Sequence, residues 1–312
     1  MSQQQKYRLV TRSDFDGLVS AMLLRELDII DDILFVQPKD MQDGKIPINE
    51  RDIITNLPYV PGAHLVLDHH ASEMERVADK PHDNYIIHPD APSAARVVYQ
   101  HFGGKAAFPN VRDDILDAVD KADSGQLLED DVLYPKGWML LNFIMDPRTG
   151  LGRFKEFRIS NYNLMMDLIE YCRRHTVEEV LELPDVKERL DYYFEQEEYF
   201  KTQIQAHTKI HRNLAVLDLR HDDIIYPGNR FMIYALYPQC NISLHILWGQ
   251  TRKITVFALG KSIFNRTSNT HIGSLCLQYG GGGHAAAGTC QVPTEKAIEV
   301  RKALENRILA DG

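Results

Sequence analysis

The chain has 312 residues, of which 44% are hydrophobic and 25% charged, and its formal net charge is −9. This composition is that of an ordinary globular protein, and the length favours two domains. The acidic charge argues against a large nucleic-acid footprint, which usually needs a basic face, but it does not exclude a small phosphate-bearing substrate.

The four cysteines form no C-x-x-C pair, so the sequence predicts neither a zinc site nor a redox motif. The first ten residues, MSQQQKYRLV, lack the apolar core of a signal peptide. No apolar run approaches the length of a membrane span. We therefore expect a cytoplasmic location and no membrane partner.

Short apolar runs alternate with helical patterns in the first part of the chain. The predicted strands are Tyr7–Thr11, Ile33–Val36, Asp52–Ile54, His64–Leu67 and Tyr85–Ile87. The predicted helices are Leu18–Leu27 and Ala94–Phe102. This alternation indicates an α/β fold with a mostly parallel sheet and helices on both faces.

The second part of the chain begins after a helical region that extends from Val111 to about Leu183. Residues 186–208 are typical of a long connecting helix, although a helix packed wholly within one domain fits nearly as well. The strands predicted after it are Leu214–Leu219, Arg230–Leu236, Ile242–Trp248 and Lys253–Ala258. With helices at Thr270–Tyr279 and Thr294–Ile308, they predict a smaller C-terminal α/β domain with a mixed sheet.

The first candidate site is Asp14-Phe15-Asp16-Gly17, which follows the first predicted strand. In an extended segment, residues two apart project to the same face. We therefore expect Asp14 and Asp16 to converge on one cation, with Gly17 permitting a tight turn. A D-x-D-G sequence at a strand end is more often a simple turn, so this motif alone indicates little.

The second candidate is Asp68-His69-His70, at the end of an apolar strand. In open α/β sheets, ligands bind at the carboxyl ends of the strands. Neutral imidazole suits manganese, iron or zinc, and a neighbouring carboxylate can orient the ring. A single histidine here would indicate a structural role, whereas two histidines after an aspartate favour a functional one.

The third candidate is Asp123-Ser124-Gly125, where the helical run from Val111 ends. Asp123 has the position of a ligand at a junction between a helix and a loop. Without the other motifs, Asp120 and Asp123 would be interpreted as surface carboxylates.

The fourth candidate is the glycine run Gly280–Gly283 followed by His284 and three alanines. Consecutive glycines expose backbone N–H groups and allow an anion to approach closely. A glycine run can also be a flexible linker, but small residues and a strand-like run follow this one directly.

In this order, the motifs D-x-D-G, DHH, D-S-G and GGGGHAAAG resemble those of the DHH phosphoesterase family, and the last resembles its DHH-associated C-terminal domain. The match covers most of the chain, with gaps in the helical middle, and is closest to exopolyphosphatase-related and oligoribonuclease-like members. It implies a metal-dependent hydrolase with its substrate in a cleft between two domains. Residues 1–185 would form the catalytic metal-binding domain, 186–208 the connecting helix and 209–312 the substrate-binding domain.

The resemblance also implies residue roles. The implied metal ligands are Asp14, Asp16, His69 and Asp123. Two further catalytic roles are implied: His70 faces the scissile phosphate, and Asp68 supports His69. The implied substrate-binding residues are Gly281, Gly282, Gly283 and His284. Arg266 would add a positive charge to the same pocket, or it is a surface arginine, and Ser93 would either reach the site or cap a helix.

The implied reaction is metal-assisted hydrolysis of a phosphate ester. Family substrates include pyrophosphate, polyphosphate, short oligonucleotides, nucleotide bisphosphates and linear dinucleotides, and the acidic charge of this chain favours the small ones. Mixed carboxylate and imidazole ligands without thiolate favour manganese, with magnesium as the alternative. The sequence does not determine the oligomeric state, and a homodimer is compatible with it.

Two positions depart from the family pattern. A histidine is expected at position 10 or 12, where this chain has Val10 and Arg12, and a bridging aspartate is expected where Asn56 stands. We therefore expect one strong metal site and a weak or absent second site, with the catalytic Arg12 guanidinium paired to Asp14. The alternative is a degenerate member that binds a phosphorylated ligand with little hydrolysis. The retained His70 and the complete GGGGH motif favour an active enzyme.

Overall fold

The computed structural model describes residues 6–70, 82–153, 157–249 and 252–312. The chain divides into two compact units. The first unit comprises Met1–Gln126, Lys136–Pro147 and Leu151–Asp191. The second comprises Leu127–Pro135, Arg148–Gly150 and Tyr192–Gly312.

The first unit contains a five-stranded sheet. Its strands are β1 (Tyr7–Thr11), β2 (Ile30–Phe35), β3 (Asp52–Thr55), β4 (Leu65–Asp68) and β5 (Tyr85–Ile87). They lie in the order β2-β1-β3-β4-β5, and every neighbouring pair is parallel. The predicted parallel sheet is confirmed, with β2 beginning three residues earlier than the apolar run suggested.

Helices alternate with these strands and make up much of the rest of the first unit. They are α1 (Phe15–Glu26), α2 (Pro38–Gln42), α3 (Ala94–His101), α4 (Asp113–Asp123), α6 (Gly137–Met145), α7 (Asn161–Tyr171) and α8 (Val177–Leu181). The short helix α5 (Glu129–Leu133) belongs to the second unit. The long helix α9 spans Pro184–His207, and the division between the units falls inside it.

The strand order reverses at β1, because the chain passes from β1 to β2 on one side and later returns to place β3 on the other. Such a switch point opens a crevice at the carboxyl ends of the strands, where ligands bind in this class of sheet. Thr11 and Thr55 are the last residues of β1 and β3, the two strands next to this switch point. Both are fully buried, and their hydroxyls hydrogen-bond to each other at 2.8 Å.

The second unit contains a six-stranded mixed sheet. Its strands are β6 (Thr208–His211), β7 (Leu214–Asp218), β8 (Ile242–Trp248), β9 (Ile254–Lys261), β10 (Gly282–Gly283) and β11 (Ala287–Pro293). They lie in the order β10-β11-β9-β8-β7-β6, with β7 and β8 parallel and the other pairs antiparallel. The predicted mixed sheet is confirmed.

Three helices accompany this sheet: α10 (Met232–Leu236), α11 (Ile272–Leu277) and α12 (Ala297–Asp311). Leu244 and Ile246 of β8 share one buried apolar cluster with Ile272 of α11 and Leu304 of α12. The two helices therefore cover the face of the sheet to which these strand residues point. In the described part of the chain, no helix is both long enough and apolar enough to cross a membrane.

The prediction of a strand at Arg230–Leu236 is wrong, because α10 occupies this segment. The run is short and apolar, and periodicity alone does not separate a strand from a buried helix at that length. The side chain of Asn229 accepts a hydrogen bond from the backbone N–H of Phe231 at 3.0 Å. The backbone carbonyl of Asn229 accepts one from the backbone N–H of Met232 at 2.9 Å. This local bonding turns the chain into a helix.

Candidate active site

Polar residues follow three neighbouring strands of the parallel sheet where each strand ends. Asp14 comes after β1, Asn56 directly after β3, and His69 directly after β4. Gly17 allows the chain to turn from β1 into α1, because a Cβ atom on it would lie 1.9 Å from the carbonyl oxygen of Arg12. The D-x-D-G segment is therefore packed closely at the switch point.

Asp16 does not project from an extended segment, so the prediction of how Asp14 and Asp16 converge is wrong. Helix α1 begins at Phe15, and Asp14 caps it by accepting from the backbone N–H of Gly17 at 3.0 Å. Asp16, 2% exposed, instead accepts hydrogen bonds from the backbone N–H groups of Ala94 at 2.9 Å and Ala95 at 2.7 Å.

These two bonds place the Asp16 carboxylate at the positive end of α3, which favours its charged form. Burial and, next, the neighbouring Asp123 carboxylate act in the opposite direction and raise the pKa of Asp16 to about 7. The site therefore contains a buried carboxylate that a nearby cation would stabilise strongly.

His69 points its two ring nitrogens at different partners. Nδ1 lies 3.1 Å from the carbonyl oxygen of Ala91, which accepts a hydrogen bond from the Nδ1–H group. Nε2 lies 2.9 Å from Oδ2 of Asp123 and 3.9 Å from Oδ2 of Asp16. Although burial lowers the pKa of His69, these carboxylates raise it to about 9. The bond to Ala91 keeps a proton on Nδ1, so that Nε2 is the nitrogen that would bind a metal ion when the ring is neutral.

Asp123 is the last residue of α4, and its side chain is 29% exposed. A carboxylate there is disfavoured by the helix dipole, whose negative end lies at the carboxyl terminus. Burial also raises its pKa, but His69 first, then His70 and Arg12, hold the pKa below its usual value. Asp123 thus depends on positive charge nearby.

Asp16, His69 and Asp123 each offer one ligand atom, and these atoms all lie within 4.8 Å of one another. In the described part of the chain, this is the one group of three His, Cys, Asp or Glu residues with ligand atoms so close together. Nε2 of His69 is buried and, within those residues, is not aligned for a hydrogen bond, although Asp123 is close. An imidazole nitrogen and two carboxylates that face a common point fit a divalent metal ion.

His70 and Asp68 form a second pair at the end of β4. Nδ1 of His70 lies 2.8 Å from Oδ1 of Asp68, which is fully buried. The expectation that Asp68 supports His69 is therefore wrong, because side chains alternate along a strand and residue 68 shares its side with residue 70. Burial lowers the pKa of His70, but Asp68 raises it above the usual value.

The two positions that depart from the family pattern both contact Asp14. Nε of Arg12 lies 3.1 Å from Oδ2 of Asp14, which matches the expected pairing. Nδ2 of Asn56 donates to Oδ1 of Asp14 at 3.1 Å. Val10 is fully buried within β1. Asp14 therefore lies outside the group of three candidate ligands.

The glycine motif lies in the second unit, at the edge of its sheet. Gly281 and Gly283 are required for packing, because Cβ atoms on them would lie 2.1 Å and 2.2 Å from the carbonyl oxygens of Thr289 and Ala287. A Cβ atom on Gly282, by contrast, would have no neighbour within 4 Å among the described residues. Gly282 is therefore the glycine of β10 that leaves open space beside the backbone.

His284 and Arg266 are both exposed. His284 begins the turn between β10 and β11, and its backbone N–H donates to Ala287 at 2.7 Å. Nε of Arg266 donates to the carbonyl oxygen of Ile263 at 3.0 Å. Their predicted roles in substrate binding stay predictions.

Some supporting groups were missed in the sequence. Ala91, Ala94 and Ala95 contribute only backbone atoms to the site, so their side chains carried no signal. Ser93 caps α3, accepting from Arg96 at 3.0 Å and donating to Asp120 at 2.7 Å. Ser93 did predict that a helix begins at this point of the sequence. Because the first N–H groups of a helix are available to an anion, this serine was the one signal for the groups that bind Asp16.

Comparison with known proteins gave no match among models of protein families and none among curated proteins. Among solved structures, the chain is similar to the pGpG-specific phosphodiesterase PggH from Vibrio cholerae, with 60% identity and a TM-score of 0.86. That match covers 98% of this chain and 100% of PggH.

Two more distant structures share the fold. RecJ from Thermus thermophilus, in complex with Mn²⁺, is 14% identical with a TM-score of 0.50, over 97% of this chain and 52% of RecJ. CDC45 from Entamoeba histolytica is 7% identical with a TM-score of 0.52, over 96% of this chain and 95% of CDC45. The full-length similarity to PggH, together with the parallel sheet that carries the DHH motif, shows that the chain is a phosphoesterase of the DHH family.

Proposed function

We propose that this protein is a metal-dependent phosphodiesterase that hydrolyses the linear dinucleotide pGpG to two molecules of GMP. The observation that carries the proposal is the 60% identity with PggH, described as a pGpG-specific phosphodiesterase, over 98% of this chain. The acidic net charge of −9 agrees with a small substrate rather than a long nucleic acid. A linear dinucleotide is one of the substrate classes that the DHH motifs imply.

The proposed metal ligands are Asp16, His69 and Asp123, whose ligand atoms lie within 4.8 Å of one another. We expect manganese or magnesium, because two carboxylates and one imidazole without thiolate suit these ions. A bound divalent ion would supply an activated water near neutral pH and would stabilise charge on the phosphate.

The residues of the chain itself hold this site in place. The backbone of α3 fixes Asp16, and the Ala91 carbonyl fixes the ring of His69. Asp68 holds His70, which we assign to the scissile phosphate. Orienting groups of this kind preserve ligand geometry and typically change activity ten- to a hundredfold when they are removed.

The second unit is proposed to bind the terminal phosphate or the nucleotide. Gly282, with open space at its Cα, would let a phosphate approach the backbone N–H groups of β10. His284 and Arg266, both exposed, would add donors. Under this division of roles, the first unit carries the chemistry and the second selects the substrate.

The test is hydrolysis of pGpG by the purified protein loaded with Mn²⁺, measured as GMP by chromatography. Parallel reactions would contain pApA, a short oligonucleotide, adenosine bisphosphate, pyrophosphate and polyphosphate. The proposal requires pGpG to be cleaved with the highest kcat/KM. Faster cleavage of polyphosphate or pyrophosphate would contradict it.

The same assay tests the alternative of a degenerate member. A protein that binds pGpG in calorimetry but releases no GMP with Mn²⁺ or Mg²⁺ would be a binding protein. The pairing of His70 with Asp68 favours the enzyme, because a protein that only binds its ligand has no need of an oriented histidine beside the candidate ligands.

A further inference from the structure

Arg12, Asp14 and Asn56 form a second polar group beside the three candidate ligands. Oδ2 of Asp14 lies 3.1 Å from Nε of Arg12. Oδ1 accepts from Nδ2 of Asn56 at 3.1 Å and from the backbone N–H of Gly17 at 3.0 Å. Both oxygens of Asp14 are thus engaged, and its negative charge is balanced by a side chain of the protein.

This balance matters for an anionic substrate. A divalent ion held by Asp16, Asp123 and a neutral His69 would form a centre without net charge, and Arg12 cancels the charge of Asp14. Without Arg12, a phosphodiester would approach an unbalanced carboxylate at short range, which costs free energy. Together, the ion, its three ligands, Arg12 and Asp14 would therefore present no excess negative charge to the substrate.

We infer that the active site holds a single divalent ion and that Arg12, positioned by Asp14 and Asn56, is its second cation and binds the phosphate of the substrate. The inference rests on the proposed function. Nε of Arg12 faces Asp14 at 3.1 Å, the Arg12 side chain is 31% exposed, and a planar guanidinium held in this way can direct N–H groups to phosphate oxygens. The charge of Arg12 also acts on the neighbouring Asp123.

Asn56 is the residue that makes a second ion unnecessary. The residue is 2% exposed, and its backbone has a φ of +56°, a conformation that asparagine tolerates better than most residues. The hydrogen bond from Nδ2 to Oδ1 of Asp14 orients the N–H₂ group of this amide towards the carboxylate. A carboxylate at position 56 would face Asp14 across 3.1 Å, and two carboxylates so close require a cation or a proton between them.

The first test counts ions. Equilibrium dialysis against Mn²⁺ followed by elemental analysis is expected to give one ion per wild-type chain. The double variant Arg12→His/Asn56→Asp is expected to bind two, because it restores a carboxylate pair and removes the fixed cation. Two ions in the wild type, or one in a double variant that is folded by circular dichroism, would overturn the inference.

The second test measures phosphate binding without turnover. We expect Mn²⁺-loaded Arg12→Gln to bind GMP about tenfold more weakly than the wild type in calorimetry, with one ion still bound. Arg12→Lys, which keeps the charge without the planar fork, is expected to fall between the two. Arg51→Gln is the control, because Arg51 is exposed, pairs with Asp31 at 3.7 Å and precedes β3 at the opposite end from Asn56. Unchanged affinity in Arg12→Gln would overturn the inference.

These tests separate the inference from the proposed function. Failure of the wild type to cleave pGpG, with one ion bound and GMP affinity dependent on Arg12, would contradict the substrate and support the role of Arg12. Efficient cleavage of pGpG with two bound ions would support the substrate and overturn the single-ion site.

Discussion

Oδ1 of Asp68 lies 2.8 Å from Nδ1 of His70, while the intervening His69 turns its Nδ1 to the carbonyl oxygen of Ala91. The two histidines of the DHH motif are thus oriented by different partners on opposite sides of one strand end. Their rings meet edge to face, with centroids 4.6 Å apart. Each ring can therefore be disturbed without removing the partner of the other.

Asp68→Asn is expected to lower kcat about tenfold and leave bound Mn²⁺ unchanged, because it weakens the hold on His70 but not on His69. Steady-state kinetics and elemental analysis would measure the two effects. The buried amide retains the volume of the carboxylate, so folding is expected to persist. Loss of metal in this variant would mean that Asp68 acts on His69 after all.

Asp123→Ala is expected to abolish Mn²⁺ binding, because it removes one of three candidate ligands. Elemental analysis after dialysis would measure the bound metal. The matched control is Asp120→Asn, one helical turn earlier on α4, where the carboxylate contacts Ser93 and Arg96 instead. Full metal occupancy in Asp123→Ala would count against the assigned site.

His284→Ala is expected to raise KM or lower kcat severalfold while metal content stays unchanged. The residue is exposed on the turn between β10 and β11, in a different unit from the candidate metal ligands. Because its side chain is exposed, little change in stability is expected. If metal were lost instead, the role given to the second unit would be wrong.

Gly282→Ala is expected to affect substrate binding, whereas Gly281→Ala is expected to affect the stability of the fold. A Cβ atom on Gly282 meets open space, so this variant should keep its melting temperature and raise KM for pGpG by obstructing the backbone. A Cβ atom on Gly281 would lie 2.1 Å from the carbonyl oxygen of Thr289, so that variant should be destabilised by about 2 kcal/mol or more. Thermal melts and KM values that change equally in both variants would contradict this distinction.

His245, half-buried on β8, is expected to make the protein sensitive to acid. Burial lowers the pKa of His245 to about 4, so the folded protein disfavours protonation of a group that titrates near 6.5 when unfolded. Its contribution to stability is full above pH 6.5 and is lost as the pH falls towards 4. Between pH 6.5 and 5 the loss is about 2 kcal/mol.

The measurement compares the melting temperatures of the wild type and His245→Gln at several pH values. The variant lacks this titration, so its melting temperature should fall less between pH 6.5 and 5. Parallel pH profiles for the two proteins would show that His245 does not titrate as described.

The sequence predicted most of the fold because distinct apolar runs mark most of its strands. The runs at Tyr7–Thr11, Tyr85–Ile87 and Ile242–Trp248 coincide with strands to the residue. The segment Arg230–Leu236 failed because Asn229 starts a turn that its apolar side chains do not reveal. Tertiary context and capping decide such short runs, and neither is visible in a pattern of hydrophobicity.

The candidate site was predictable where side chains carry the chemistry and not where the backbone does. Asp16, His69 and Asp123 come together from three separated motifs, as expected from strand and helix ends meeting at one edge. The partners of Asp16 could not be predicted, because Ala94 and Ala95 contribute only N–H groups. The carboxylate reaches them because α1 and α3 pack side by side.

Asp16 therefore performs two tasks with one side chain. It faces the candidate metal position, and it also accepts hydrogen bonds from the first two N–H groups of α3, inside the first unit. A descendant of this protein that had lost all hydrolytic activity would still be under selection to keep Asp16, because its removal would leave buried donors unpaired. In surveys of genomes, an aspartate here would identify the architecture. The loss of Asp123 or His70, which cap no helix, would instead mark a chain that has lost phosphoesterase activity.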